Sequence, residues 1–383
     1  MIGRALLLAF ATVQAAAAVR VFLRMARTAG GAPVAPSSRP APGERITVIV
    51  PVLDEQDRLA PCLEGLVLQP AEVAEILVSD GGSRDATREI IDAFARRDPR
   101  VRLVDAAPIP HGWNGKAHGL QTALLAADPA SRWMLTIDAD VRVQPDLARS
   151  LLAEIRRSGA GTTSLATRQR LSGPADGLIH PAFLASLVYR HGIPGLDTSD
   201  RSLVLASGQC AIYDRAALLA VGGFAAGRDS VCEDVTIARA IAAAGHLVGF
   251  HEGGPLAETA MYRDWRETWT NWSRSLPMRD RYLDREALLL LAEATLVQAA
   301  PLPLALLTLR SGGPAAALNR GLLAARLGVL AGAARAYPDR PATYWLSPLL
   351  DIPATFALWR SALRRDHNWR GRTLVRGASG RQP

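Results

Sequence analysis

Residues 46–53 read ITVIVPVL, an unbroken apolar run rich in β-branched side chains. It shows no polar alternation, so both faces of the strand must be covered, as in a parallel sheet flanked by helices. The segments that follow keep the theme. LAPCLEGLVLQ (59–69) reads as a helix and EILVSD (75–80) as a second strand, while SRDATREIIDAFARR (83–97) is an amphipathic helix opened by a serine. VRLVDA (101–106) and WMLTID (133–138) add two strands, with a helix over 116–127 between them. This alternation predicts a doubly wound α/β domain with right-handed crossovers. Ligands of such sheets lie beyond the carboxyl ends of the strands. The rule gathers Asp54, Asp80 and the Asp-Ala-Asp of 138–140 around one crevice.

On either side of this domain the character changes. Residues 2–23 are almost wholly apolar and match the length of a membrane span, with no clear cleavage site after them. An uncleaved anchor over 1–28 is expected, followed by a Pro/Gly/Ser linker over 29–44 with nothing to pack. Arginines at 20, 24, 27, 39 and 45 place the α/β domain, 45–260, on the cytoplasmic side of an inner membrane. Tyr262, Trp265, Trp269, Trp272 and Leu276 form one stripe on a helix over 261–285, expected to lie at the lipid interface. Three apolar stretches at 287–309, 314–336 and 343–359 make 286–360 a membrane-associated region. The Arg-rich tail over 361–383 should remain cytoplasmic.

Of 383 residues, 49% are hydrophobic and the net charge is +8, with a mean hydropathy of +0.09. That excess of positive charge suits phosphorylated ligands or an anionic membrane face. Zinc-finger spacing and RNA-binding aromatic signatures are absent, which argues against a nucleic-acid partner. The three cysteines have no CxxC spacing and no even pairing, so neither a metal cage nor a disulfide framework is indicated.

Four local patterns carry chemistry. In TIDADVRVQPD (136–146), Asp138 and Asp140 are two apart at a strand end, so their carboxylates point the same way. Such a pair can hold a divalent ion through oxygen, with a diphosphate filling the remaining positions. In VSDGGSRDAT (78–87), Asp80 ends a strand before two glycines that let a ligand approach, and Asp85 reads as a helix cap. CEDVTIARAIAAAGH (232–246) starts a helix with Glu233 and Asp234. Favourable contact with the helix dipole and a general-base role are both open there. GWNGKAHGLQ (112–121) holds Lys116, the one lysine among 44 basic residues. A compact ammonium suits a crowded anion site where a guanidinium does not fit. GxGxxG and Walker patterns do not occur, so neither a dinucleotide nor P-loop chemistry is indicated.

Taken in order, VIVPVLDE, VSDGGSRDAT, GWNGKAHGL, TIDADVRVQPD, SGQCAIYDRAALLAVGGF, CEDVTIARAIAAAG and WTNWSRSL resemble the family 2 glycosyltransferases with the GT-A fold, over about residues 45–280. The Gly-Trp-x-Gly-Lys turn, the Glu-Asp helix and WRGRTL (369–374) look most like the membrane-associated subgroup that glycosylates carotenoids or accompanies hopanoid synthesis. The resemblance implies a hexosyltransferase-like enzyme with nucleotide-sugar contacts at Pro51, Glu55 and Asp80, ribose or metal contact at Asp138, and Mg²⁺ or Mn²⁺ at Asp140. It implies that Asp234 is the general base of an inverting transfer to a membrane lipid. Lys116 would face the donor diphosphate or brace Asp138. Arg274 falls near the Gln-x-x-Arg-Trp motif of processive relatives, but Asn271, Trp272, Ser273 and Ser275 depart from it. Polymer synthesis is therefore not expected, and Arg274 is only a candidate diphosphate ligand. Two other readings compete. A sugar nucleotidyltransferase would want a glycine-rich basic loop after the first strand, and VPVLDEQD is acidic there. A non-catalytic nucleotide-sugar-binding scaffold would not need Asp138, Asp140 and Asp234 intact.

Overall fold

The computed structural model describes residues 2–260, 262–273, 276, 285–310 and 312–364, and the backbone of 366–369 and 372–375. The chain opens with α1 (Ile2–Thr28). The α/β core follows as β1 (Ile46–Val52), α2 (Leu59–Val67), β2 (Val73–Asp80), α3 (Thr87–Ala95), β3 (Val101–Asp105), α4 (Gly115–Ala126) and β4 (Trp133–Ile137). It continues through β5 (Val141–Val143), α5 (Leu147–Ser158), β6 (Thr162–Ala166), β7 (Arg168–Gln169) and the long α6 (Pro174–His191). Then come β8 (Leu196–Thr198), β9 (Cys210–Asp214), α7 (Arg215–Ala220), α8 (Glu233–Ala243), β10 (Val248–Glu252) and β11 (Ala257–Thr259).

The eight-stranded sheet has the order β3-β2-β1-β4-β9-β6-β10-β8. β3, β2, β1 and β4 are parallel, and β6 is parallel to β10, as expected of a parallel-dominated α/β domain. β9 and β8 run antiparallel to their neighbours, which the strand–helix pattern did not indicate. A small sheet of β5, β11 and β7 sits beside it, immediately after the Asp138–Asp140 turn. β1 is buried on both faces: Val48 and Val50 pack towards α2 and α5, and Ile49 towards α4.

Helix α3 starts at Thr87 rather than Ser83, because Ser83 is consumed by the preceding turn, bonding Asp80 and the Asp54 amide. The 29–44 linker is not loose. Val34 is buried and its amide bonds Glu252 O at 2.9 Å. The Ser37 and Ala41 amides bond Ser150 and Glu72, so side chains of the domain satisfy a backbone that has no secondary structure of its own.

A helical layer completes the molecule: α9 (Trp265–Glu267) with a π turn at Thr268–Trp272, α10 (Arg285–Ala294) with a π turn at Thr295–Ala299, α11 (Pro301–Leu307), α12 (Pro314–Ala333) and α13 (Asp351–Leu363). The aromatic stripe turns inwards instead of lying open at an interface. Trp272 and Leu276 are buried in one cluster with Ile179 and Phe183 of α6, and Trp269 packs on Phe183. Only Trp265 is exposed, with Arg266 stacked on it. Among the described residues, two helical segments are long and apolar enough to cross a membrane, Leu7–Thr28 and Arg285–Leu307. α1 is joined to the later helices through polar contacts. Gln14 donates to Asn319 at 2.8 Å, and Arg20 and Arg24 both pair with buried Glu293.

Candidate active site

A cleft of about 1350 Å³ opens at the carboxyl ends of β1 and β4. Pro51 and Glu55 come to it from β1 and its loop, Lys116 from the start of α4, Asp138 and Asp140 from the turn after β4, and Asp234 from the start of α8. Six residues singled out in the sequence therefore share one cavity.

The centre of the site is Lys116. Its Nζ lies 2.7 Å from Asp138 Oδ1 and 3.3 Å from Glu233 Oε1. It also donates to Gly208 O at 3.1 Å. Lys116 thus braces Asp138, one of the two roles expected of it. Asn114 builds the turn: its side-chain oxygen caps α4 by accepting from the Lys116 and Ala117 amides, while its amide donates to Ser230 O and Glu233. One asparagine thus couples the lysine turn to the Glu-Asp helix.

Asp234 is held by backbone. Its Oδ2 accepts from the Gly208 amide at 2.6 Å and its Oδ1 from the Val235 amide at 2.8 Å. Gly208 is the hinge of the arrangement, since a Cβ there would fall 2.7 Å from Lys116 Nζ and 3.2 Å from Asp234 Oδ2. Neither Asn114 nor Gly208 was expected as a site residue, and Glu233 was read only as one of the two acids that open α8. The Asn before a helix start was a readable capping signal. Gly208 carried no pattern.

The electrostatics follow from crowding acids in a dry place. Burial pushes Asp140 up to about 7, with Asp138 adding to the effect. Burial and then Glu233 raise Asp234 to about 6, against the pull of Lys116. Burial penalises the Lys116 ammonium, but Asp138, Glu233 and Asp234 outweigh it and hold the group well above the usual lysine range. Asp140 Oδ1 is buried with no hydrogen-bond partner. An orphaned carboxylate oxygen beside a second carboxylate is a fitting donor set for a hard divalent ion.

Asp80 stands differently from its expectation. It is fully buried at the end of β2, accepts from Ser83 and pairs with Arg88 Nε at 2.5 Å, and does not line the cleft. Asp54 does line it, in a left-handed conformation at φ 53° that Asp tolerates better than most residues. Asp85 accepts from Thr87 and Gln56 amides, a local capping role. Arg274 lies outside the described residues. A separate group, Glu154, Asp197 and His251, also gathers its ligating atoms within 4.8 Å. Arg157 pairs with both acids there, at 2.5 and 3.5 Å.

Residues 47–222 match the family model described as "Glycosyl transferase family 2". This segment is similar in sequence to that family. The chain is 27% identical over 117 residues to glycosyltransferase GlyG of Streptococcus pneumoniae, covering 30% of this chain and 37% of that protein. It is 31% identical over 113 residues to undecaprenyl-phosphate 4-deoxy-4-formamido-L-arabinose transferase of Pseudomonas aeruginosa, covering 28% and 31%. The match thus spans about a third of the length of these curated relatives. Among solved structures, a mannosyltransferase from Pyrobaculum calidifontis in complex with GDP-mannose and Mn²⁺ superposes with a TM-score of 0.55 at 22% identity, covering 94% of this chain and 98% of that one. The likeness shows the GT-A fold, and it extends beyond the matched residues 47–222 into the helical layer.

Proposed function

We propose that the chain is an inverting glycosyltransferase that moves a sugar from a nucleoside diphosphate donor to the head group of a membrane lipid. One observation carries the reading: Lys116, Asp138 and Asp140, within the segment that matches the family 2 model, and Asp234 just beyond it converge on a single cleft from separate elements. In this reading the donor sits beyond β1 and β4, against Pro51, Glu55 and Asp138. Asp140, with Asp138, would hold Mg²⁺ or Mn²⁺, and the ion would neutralise the leaving diphosphate.

The remaining steps belong to the protein's own groups. Asp234 is ionised at neutral pH and fixed by two backbone amides, so its carboxylate takes the proton of an acceptor hydroxyl as that oxygen attacks the sugar C1. The C1–diphosphate bond breaks on the opposite face, which inverts the anomeric centre. Lys116 keeps Asp138 oriented and offsets the acids around it. A hopanoid, carotenoid or other polyprenoid is the proposed acceptor. The inner membrane, with the catalytic domain on its cytoplasmic face, is the proposed location. Exposed Leu8, Phe10, Val13 and Val19 on α1 and Leu306, Leu307 and Phe356 on the later helices support lipid contact.

The test is release of nucleoside diphosphate from a panel of nucleotide sugars, with membrane lipid extract and Mg²⁺ or Mn²⁺ present. Release should require the ion and rise well above the slow hydrolysis background when extract is added, and Asp140→Ala should abolish it while fold and membrane association persist. Undiminished release in excess chelator would sink the metal assignment. Release with no sugar entering the lipid phase would sink the acceptor assignment.

A further inference from the structure

The cleft does not end at the carboxylates. Beyond Trp272 and His180, whose rings stack at 3.8 Å, the same cavity runs on between three helices. Phe22 and Met25 of α1 line one side and Leu184, Leu187 and Val188 of α6 another. The third side is α12, which presents Ala325, Gly328, Val329 and Gly332. A Cβ built at Gly328 or Gly332 meets nothing within 4 Å. The wall there is bare helix backbone facing open space, and the side chains opposite are half-buried.

Size, polarity and continuity agree on an occupant. About 1350 Å³ exceeds the ~300–1,000 Å³ that seats one drug-sized ligand, so the cleft has room for a donor and a second molecule. The extension is lined by hydrocarbon on all three helices, in contrast to the acid-rich end. One wall is α1, which has the composition of a membrane span and exposes Val19 and Leu23 near the lining residues. A lipid in the bilayer therefore has an apolar route that ends at Asp234.

We propose that this three-helix arm seats the hydrocarbon body of the acceptor, with Gly328 and Gly332 setting the width available to it. The proposal rests on the lipid-acceptor reading above. The arm holds the apolar body while the hydroxyl reaches Asp234, so the two glycines are specificity-determining positions and touch no reacting atom.

The experiment uses the full chain in detergent with membrane lipid extract from the cell that makes it and a labelled nucleotide sugar. Two rates are read: label entering the organic phase, and nucleoside diphosphate release by hydrolysis without extract. Gly328→Leu and Gly332→Leu fill the arm, while Gly321→Leu on the same helix also meets nothing within 4 Å and lies outside the cleft. Leucine is the better helix former, so none of the three threatens folding. Lipid labelling should fall at least tenfold in the first two variants, with hydrolysis unchanged in all and labelling unchanged in Gly321→Leu. Wild-type labelling by Gly328→Leu and Gly332→Leu overturns the proposal, and so does an equal loss in Gly321→Leu. Hydrolysis falling in step with labelling would assign the effect to the donor end and also overturn it. Wild-type protein that labels only water-soluble acceptors would instead remove the lipid-acceptor reading itself.

Discussion

An ammonium can serve several oxygens from one small volume, and position 116 is where this chain needs that. Lys116 Nζ bonds Asp138 and Gly208 O and pairs with Glu233, in a space where even one added Cβ at Gly208 would fall 2.7 Å away. A planar guanidinium is too broad for it, which accounts for the single lysine in an arginine-rich chain. Asp234 carries the residue-scale prediction. A base must be ionised, so at saturating divalent ion the transfer rate should fall as pH drops through about 6, where burial and Glu233 have raised this carboxyl. Asp234→Asn keeps the shape, removes the base and should cost about 100- to 10,000-fold in rate with donor affinity nearly unchanged. The acid limb near pH 6 should vanish with it. A carboxylate acceptor needs no base, so a small loss with intact ion dependence would indicate an acid rather than a hydroxyl. Lost donor binding would make Asp234 a donor-site residue. The sequence displayed these acids by type and by position at strand and helix ends. The Lys116–Asp138 brace was among the expected roles, but the contacts of both Lys116 and Asp234 with Gly208 were not displayed, because that glycine lies on a separate segment and announces nothing.

At the level of elements, periodicity finds an apolar face without saying what covers it. The Trp269–Trp272–Leu276 stripe was legible as a stripe, yet α6 rather than lipid covers it. The 29–44 segment was legible as irregular, but its amides find Ser150 and Glu72 on elements far along the chain. The strands and helices of the α/β core were the readable part, because each declares its own period. Polar residues are scattered through α12, and the structure shows the use of one of them. Arg326 is buried against Asp351 of α13 at 2.9 Å, with Gln298 donating to the same carboxylate at 2.8 Å. Removing one partner leaves an uncompensated buried charge. Arg326→Met alone should therefore cost about 3–5 kcal/mol, read as a lowered unfolding midpoint in detergent. Adding Asp351→Leu should recover most of that loss, since an apolar pair of similar volume is often no worse than the ion pair. A double variant as unstable as the single would show that the pair is needed for more than charge balance.

For the whole molecule, the question is whether α1 is a detachable anchor or a working part. Apolar length alone made it an anchor joined by a linker. In the structure, Phe22 and Met25 wall the cleft, Gln14 bonds Asn319, and Arg24 pairs with Glu293 at 2.6 Å while Thr28 receives the Ile193 amide. Deleting residues 1–28 would strip Glu293 of both arginines and of the helix packed over it, leaving an unpaired carboxylate among apolar helices and lowering stability. It would also open the three-helix arm to solvent. The truncated protein should still sediment with membranes, because the later helices keep Leu306, Leu307, Leu349 and Phe356 exposed. Two measurements on the same preparation separate the roles of α1. Sedimentation without detergent reads attachment, and label entering the lipid phase reads the cleft. The expected result is retained attachment with lost lipid transfer and a lowered unfolding midpoint, and Glu293→Gln in the truncated chain should recover part of the midpoint by removing the stranded charge. A soluble truncated monomer would make α1 the sole anchor. A membrane-bound truncation with full transfer would show that the cleft does not need the wall that α1 supplies.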